Sequence, residues 1–133
     1  MDTEMADAVP RSPVAVTVTM RGHSLIQDKP ASSGGQDQGP MASELLLAGL
    51  LACQHSTFVK VAAKRKLTAA IKSLRGEMDF KDGDIAALRV HYVIEAGPDV
   101  ADGAIETAMR LTDKTCTISR VLKVAVAATF SRA

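Results

Sequence analysis

The run Glu44-Leu45-Leu46-Leu47-Ala48-Gly49-Leu50-Leu51-Ala52-Cys53 ends an apolar stretch on a thiol, and the fold turns on what that stretch is. Pro40 stands just before it, where a proline suits the first turn of a helix, and Ser43 is placed to cap free backbone N–H groups. Gly49 is the one weak helix former in a series of strong ones. The spacing predicts a helix from about Met41 to Lys66. Residues 45–53 are apolar on every side, which predicts burial all round rather than along one stripe. Lys60, Lys64, Arg65 and Lys66 then put positive charge at the negative end of the helix.

A helix of this kind is difficult to cover within a chain of 133 residues that is 47% hydrophobic but only 3% aromatic, with no Trp. A second copy of the same chain supplies the missing cover, so a homodimer is expected. The formal net charge of +1 gives no general attraction to nucleic acid. The opening Met1-to-Pro10 segment is acidic and polar, unlike a secretory leader, and no uninterrupted apolar run approaches about 20 residues. A soluble cytoplasmic protein with no membrane partner is expected. Two cysteines without a Cys-x-x-Cys pair argue against a disulfide framework, zinc or a thioredoxin-type centre, leaving inert core thiols or redox-active ones.

Outward from the helix, residues 1–12 read as a flexible lead-in to a single domain over 13–133. Residues 14–20 and 23–27 read as two strands joined at Arg21-Gly22. Residues 28–40, rich in Gly, Ser and Pro, read as a connecting loop; they contain no phosphate-binding glycine motif. Beyond the helix, residues 70–80 and 87–96 read as a hairpin about Asp82-Gly83, with Ile71, Leu74, Met78 and Phe80 on one side of the first strand. A helix over about 100–112 carries an apolar stripe of Ala101, Ala104, Ile105, Ala108, Met109 and Leu111. A short helix from about Cys116 to Leu122, capped by Asp113 or Thr115, and a last strand over 123–131 complete the chain. The order is β-β-α-β-β-α-α-β, an α+β fold with antiparallel sheets.

Local physics treats the two thiols differently. Cys53, among Leu50, Leu51 and Ala52, reads as a core thiol whose desolvation opposes ionisation. Cys116, at a helix start with Arg120 four positions on, reads as the more acidic of the two. His55 follows Cys53 by two positions, about 200° round a helix, so a Cys-His pair is geometrically poor and a buried or interfacial histidine is expected. His23, His55 and His91 lack metal-ligand spacing, and Glu77, Asp79, Asp82 and Asp84 read as a solvated hairpin.

The apolar Glu44–Cys53 helix, a hairpin, an amphipathic helix, then Cys116 at a helix start followed by Ile118-Ser119-x-x-Leu122 and a closing strand resemble the OsmC/Ohr family, nearer its less characterised members. The resemblance extends from Val14 onward, with the two cysteines 63 positions apart. It implies an intertwined α+β homodimer with its long central helices buried at the subunit interface. It also implies a thiol-dependent peroxidase for organic hydroperoxides, with Cys53 matching the peroxidatic cysteine and Cys116 the resolving one. An external dithiol, of lipoyl type or another, would return the pair to its reduced form, and no cofactor or metal is implied. In the best-understood members an Arg from the N-terminal region and a Glu at the start of the central helix support the peroxidatic thiolate. Arg21 lies in the corresponding region here; Ser43 occupies the usual Glu position, ten before the first Cys, and Glu44 stands at nine. Thr117 replaces the proline that commonly follows the second cysteine. The alternative is a relative without peroxidase activity that binds a hydrophobic small molecule or serves another redox role.

Overall fold

A computed structural model describes the chain from Met1 to Ala133. Its backbone divides into two compact units, Met1–Leu46 and Leu47–Ala133. The division falls inside helix α1 (Ala42–Lys64).

The first unit is a three-stranded antiparallel sheet in the order β1 (Asp7–Pro10), β2 (Val16–Met20), β3 (His23–Gln27). The segment expected to be a flexible lead-in therefore contains a strand, because Asp7–Pro10 pair with Val16–Thr19 in antiparallel register. Arg21 and Gly22 both have positive φ, 50° and 80°, which matches the twist of a two-residue hairpin turn. The connecting loop is also more ordered than its composition suggests. It contains a 3-10 turn at Ala31–Ser33 and is gathered round the buried Asp28 carboxylate, which accepts N–H bonds from Lys29 (2.7 Å), Gln36 (3.1 Å) and Gln38 (3.1 Å). These charge-assisted bonds, led by the one from Lys29, hold the Asp28 carboxyl below the usual carboxylate range. Ala15 and Asp28 are the fully buried residues of this unit.

The second unit is a sheet covered on one face by helices. Strands β4 (Ala69–Lys81) and β5 (Asp84–Ala96) form the expected hairpin, turning at Asp82-Gly83 with φ of 53° and 85°. Their register shifts between Ile71 and Ser73 and again between Asp79 and Phe80. The first shift explains the imperfect alternation of the sequence, since the extra residue Lys72 lets Ile71 and Leu74 face the same way. The second places its extra residue, Ala86, on β5, and Phe80, next to the hairpin turn, is 54% exposed rather than packed in the core. Leu88, Val90, Tyr92 and Ile94 alternate inward along β5.

Strand β6 (Val126–Arg132) pairs with β5 in parallel, so the expectation of purely antiparallel sheets is corrected. Two helices, α2 (Asp102–Thr115) and α3 (Thr117–Val121), stand between these strands and return the chain to the end at which β5 began. The core joins Leu50, Phe58 and Ala62 of α1, Val90, Tyr92 and Ile94 of β5, and Ile105, Ala108 and Met109 of α2.

Helix α1 is buried along one stripe, at Leu50, Gln54, Phe58 and Ala62, and not all round within the chain. Its opposite face leaves Val59 53% exposed, with Ala48 and Ala52 exposed beside it. It meets β4 closely at Gly76, where an added Cβ would stand 2.8 Å from Leu47 Cδ1 and 3.1 Å from Leu51 Cδ2.

Candidate active site

The chemistry-bearing side chains of the second unit converge where α1 passes the junction of α2 and α3. Cys53 points inward from the middle of α1 and is partly exposed; Cys116, between α2 and α3, is fully buried. Their sulfurs lie 2.9 Å apart, with the Cys116 thiol donating to Cys53. The fold thus brings together the two cysteines singled out in the sequence.

Cys116 also builds the helix that follows it. It is the N-cap of α3, and its sulfur accepts the Ser119 N–H at 3.5 Å. A thiol therefore does the work expected of Asp113 or Thr115. Arg120 is exposed on α3, where its own N–H bonds back to the Cys116 carbonyl.

Cys53, expected from the sequence to be a core thiol that resists ionisation, is instead the one whose ionisation is favoured. Burial alone would push the Cys53 thiol up, but the Cys116 S–H, the backbone N–H of Ile118, the Thr57 hydroxyl (3.9 Å) and the Thr117 N–H together hold it below the ordinary thiol value. The first two amides of α3, those of Thr117 and Ile118, serve the sulfur of the other cysteine. Sequence reading assigned that benefit to Cys116 because the two helices are adjacent only after folding.

Next to Cys53, Gln54 occupies the buried stripe of α1 at four-residue spacing from Leu50 and Phe58. Its amide nitrogen donates to Ser119 Oγ at 2.7 Å and to Asp113 Oδ1 at 3.3 Å, and its carbonyl oxygen accepts from the Tyr92 hydroxyl. Tyr92 stacks obliquely on Phe58, with ring centroids 5.8 Å apart, and burial followed by the nearby Cys116 and Asp113 raises its phenol pKa. Gln54, Thr57, Tyr92 and Ser119 were not identified from sequence. One signal was available for Gln54: an amide in an otherwise apolar i, i+4 stripe requires buried partners.

The remaining sequence candidates occupy other places. Glu44 accepts the Met41 N–H at 2.9 Å, closing the start of α1, so it performs the capping expected of Ser43, which lies within the first turn. Arg21 sits at the tip of the β2–β3 hairpin and is exposed. His55 is exposed on α1 rather than buried within the chain. His91 bonds Thr129 and Ser131 across the outer face of β5 and β6, and Glu77 and Asp79 bind Arg89 there.

Fold and site define an α+β protein with a pre-assembled pair of thiols. The description "OsmC-like protein" matches residues 35–131, and the chain belongs to that family. No curated protein sequence matches it. Solved structures with the same fold include the OsmC-like protein of Mycoplasma pneumoniae, with TM-score 0.78, 17% identity and coverage of 98% of this chain and 97% of the other. An organic hydroperoxide resistance protein from Elizabethkingia anophelis superposes with TM-score 0.75 at 18% identity, covering 100% and 98%. The organic hydroperoxide resistance protein OsmC of Legionella pneumophila does so with TM-score 0.70 at 17% identity, again covering 100% and 98%.

Proposed function

We propose that this protein is a thiol-dependent peroxidase that reduces organic hydroperoxides through Cys53 and Cys116. The observation that carries the reading is the 2.9 Å approach of a buried thiol to a partly exposed one whose ionisation is favoured. The difference in exposure supports this division of roles, with Cys53 as the sulfur a substrate reaches and Cys116 behind it.

The Cys53 thiolate attacks the terminal peroxide oxygen and the O–O bond breaks. The alkoxide takes a proton and leaves as the alcohol, and Cys53 becomes a sulfenic acid. Cys116 sulfur then attacks Cys53 sulfur, forming the disulfide and releasing water. An external dithiol, of lipoyl or another type, exchanges with that disulfide, restoring two thiols and itself becoming oxidised. In this proposal the α3 amides and Thr57 favour the reactive thiolate. Ser43, Glu44 and Arg21 are supporting residues whose substitution lowers the rate without abolishing stoichiometric thiol loss.

The exposed apolar face of α1, with Ala48, Ala52 and Val59, supports a homodimer in which a second copy covers it. A dithiol that must return to its reduced form after each turnover suits a reducing, cytosolic compartment.

The test is addition of one equivalent of cumene hydroperoxide per chain. Both free thiols should disappear, an intramolecular disulfide should form, and Cys53→Ser should consume no peroxide. Thiols that persist under a large excess of peroxide would overturn the reading in favour of a relative that binds an apolar small molecule.

A further inference from the structure

Gln54 is the one polar side chain of the buried stripe of α1, and it reaches three elements. It bonds Tyr92 on β5, Asp113 on α2 and Ser119 on α3. Ser119 in turn gives its backbone N–H to the Cys116 sulfur. Cys53, which Cys116 must meet, is the residue immediately before Gln54. A chain of hydrogen bonds thus runs from the residue beside one sulfur to the residue that holds the other, and all of it lies in the second unit.

We infer that Gln54 is the positioning residue of the thiol pair: through Ser119 and Asp113 it locks the α2–α3 junction against α1 and so sets how readily the disulfide closes. This inference deepens the peroxidase reading and rests on it for its biological purpose, though not for its test.

The physical argument concerns freedom of motion. Alone, α3 is five residues long and has no fully buried side chain, with Ile118 packed against the core only in part. Two of its other fixed points, the Cys116 sulfur and the backbone bond from Arg120 to Cys116, are internal to the junction, and the Thr117 and Ile118 N–H groups meet only the reacting sulfur of Cys53 itself. Gln54 is the contact that fixes Ser119 to α1. Without it, Cys116 samples orientations in which its sulfur does not face Cys53, and the effective concentration of one thiol at the other falls. The amide suits this position because it needs donors toward Ser119 and Asp113 and an acceptor toward Tyr92 at once; a carboxylate would meet Asp113 as a like charge.

Glutathione reads the pair without any peroxide. The protein dithiol and oxidised glutathione give the protein disulfide and two reduced glutathiones, so the equilibrium constant reports the effective concentration of the two sulfurs. Gln54→Leu should lower that constant, and slow closure from the mixed disulfide, by roughly tenfold, the scale of one or two lost buried hydrogen bonds. Gln54→Glu should lower both at neutral pH and recover as pH falls and the new carboxyl is protonated. Combining it with Asp113→Asn should restore both at neutral pH by removing the opposing charge. If Gln54→Leu does not fold, Ser119→Ala removes only the α3 end of the link and should act in the same direction.

A merely structural role would lower the melting temperature and leave the glutathione equilibrium and its pH profile at wild-type values, and that result would overturn the inference. Altered closure in a protein that consumes no hydroperoxide would support the positioning role and defeat the peroxidase reading. Normal closure in Gln54→Leu, with hydroperoxide still consumed, would do the reverse.

Discussion

Cys116 Sγ stands 2.9 Å from Cys53 Sγ across 63 positions of sequence, with no segment of either helix needing to unfold for them to meet. Disulfide bonding requires about 2.05 Å, so closure is a matter of small side-chain movement. A sulfur oxidised at Cys53 would have a second thiol already beside it.

Removal of that partner separates oxidation from resolution. Cys116→Ser should still react once with an organic hydroperoxide, leaving a Cys53 sulfenic acid that dimedone labels and mass spectrometry detects. Dithiol-supported turnover should fall by about 10²-fold, because an external thiol replaces one held at high effective concentration. Full turnover in this variant would exclude Cys116 as the resolving residue.

Alkylation by iodoacetamide reads the acidity of Cys53 directly. The midpoint of its pH–rate curve should lie below the value of about 8.5 for a free thiol. Thr57→Val should move the midpoint upward. Thr117→Pro should do so slightly, because it removes one of the N–H donors to Cys53 at a first-turn position where proline is tolerated. The sign of the stability effect follows. A thiol whose folded pKa is depressed binds fewer protons folded than unfolded within the window between the two values, so stability rises with pH there. The melting-temperature advantage over Cys53→Ala should be complete above the unfolded thiol value and disappear as pH falls through the folded one.

Asp28 supplies a second pH-dependent element, in the first unit. Its carboxylate gathers the N–H groups of Lys29, Gln36 and Gln38. Asp28→Ala should expose the 29–40 loop to limited proteolysis roughly tenfold faster, as these partly buried amides lose their acceptor. In the wild type, protection should be present above the ordinary carboxyl range and lost as pH falls through the lowered folded value. Equal cleavage rates in the two proteins at neutral pH would show that the carboxylate does not order the loop.

Gly76 sets how closely α1 lies on the sheet. Gly76→Ala brings a methyl to 2.8 Å from Leu47 Cδ1. That atom is the end of a flexible side chain, so the cost should be about 1 kcal/mol, at the lower end of overpacking effects. Gly76→Val should cost more, and Leu47→Ala should recover part of the loss in denaturant unfolding. A neutral Gly76→Val would mean that the helix does not bear on β4 at that point.

The chain's own sequence determined which segments become helices and most of the strands, because period and turn chemistry act over a few residues. The strong helix formers after Pro40 and the Arg21-Gly22 and Asp82-Gly83 turns were legible for that reason. The two cysteine motifs, in their order and spacing, were also sufficient to suggest the OsmC-like family. Only the tertiary structure decided the parallel pairing of β6 with β5 and the strand within residues 1–12, since each depends on a partner outside its own segment. The same holds for the thiols. Reading outward from Cys116 credited it with the amides of its own helix, whereas folding brings Ile118 and Thr117 N–H to Cys53 and inserts Gln54 among Tyr92, Asp113 and Ser119. Hydrogen bonds and ionisation respond to what is near in space, and proximity between residues 53 and 116 exists only after the chain has packed.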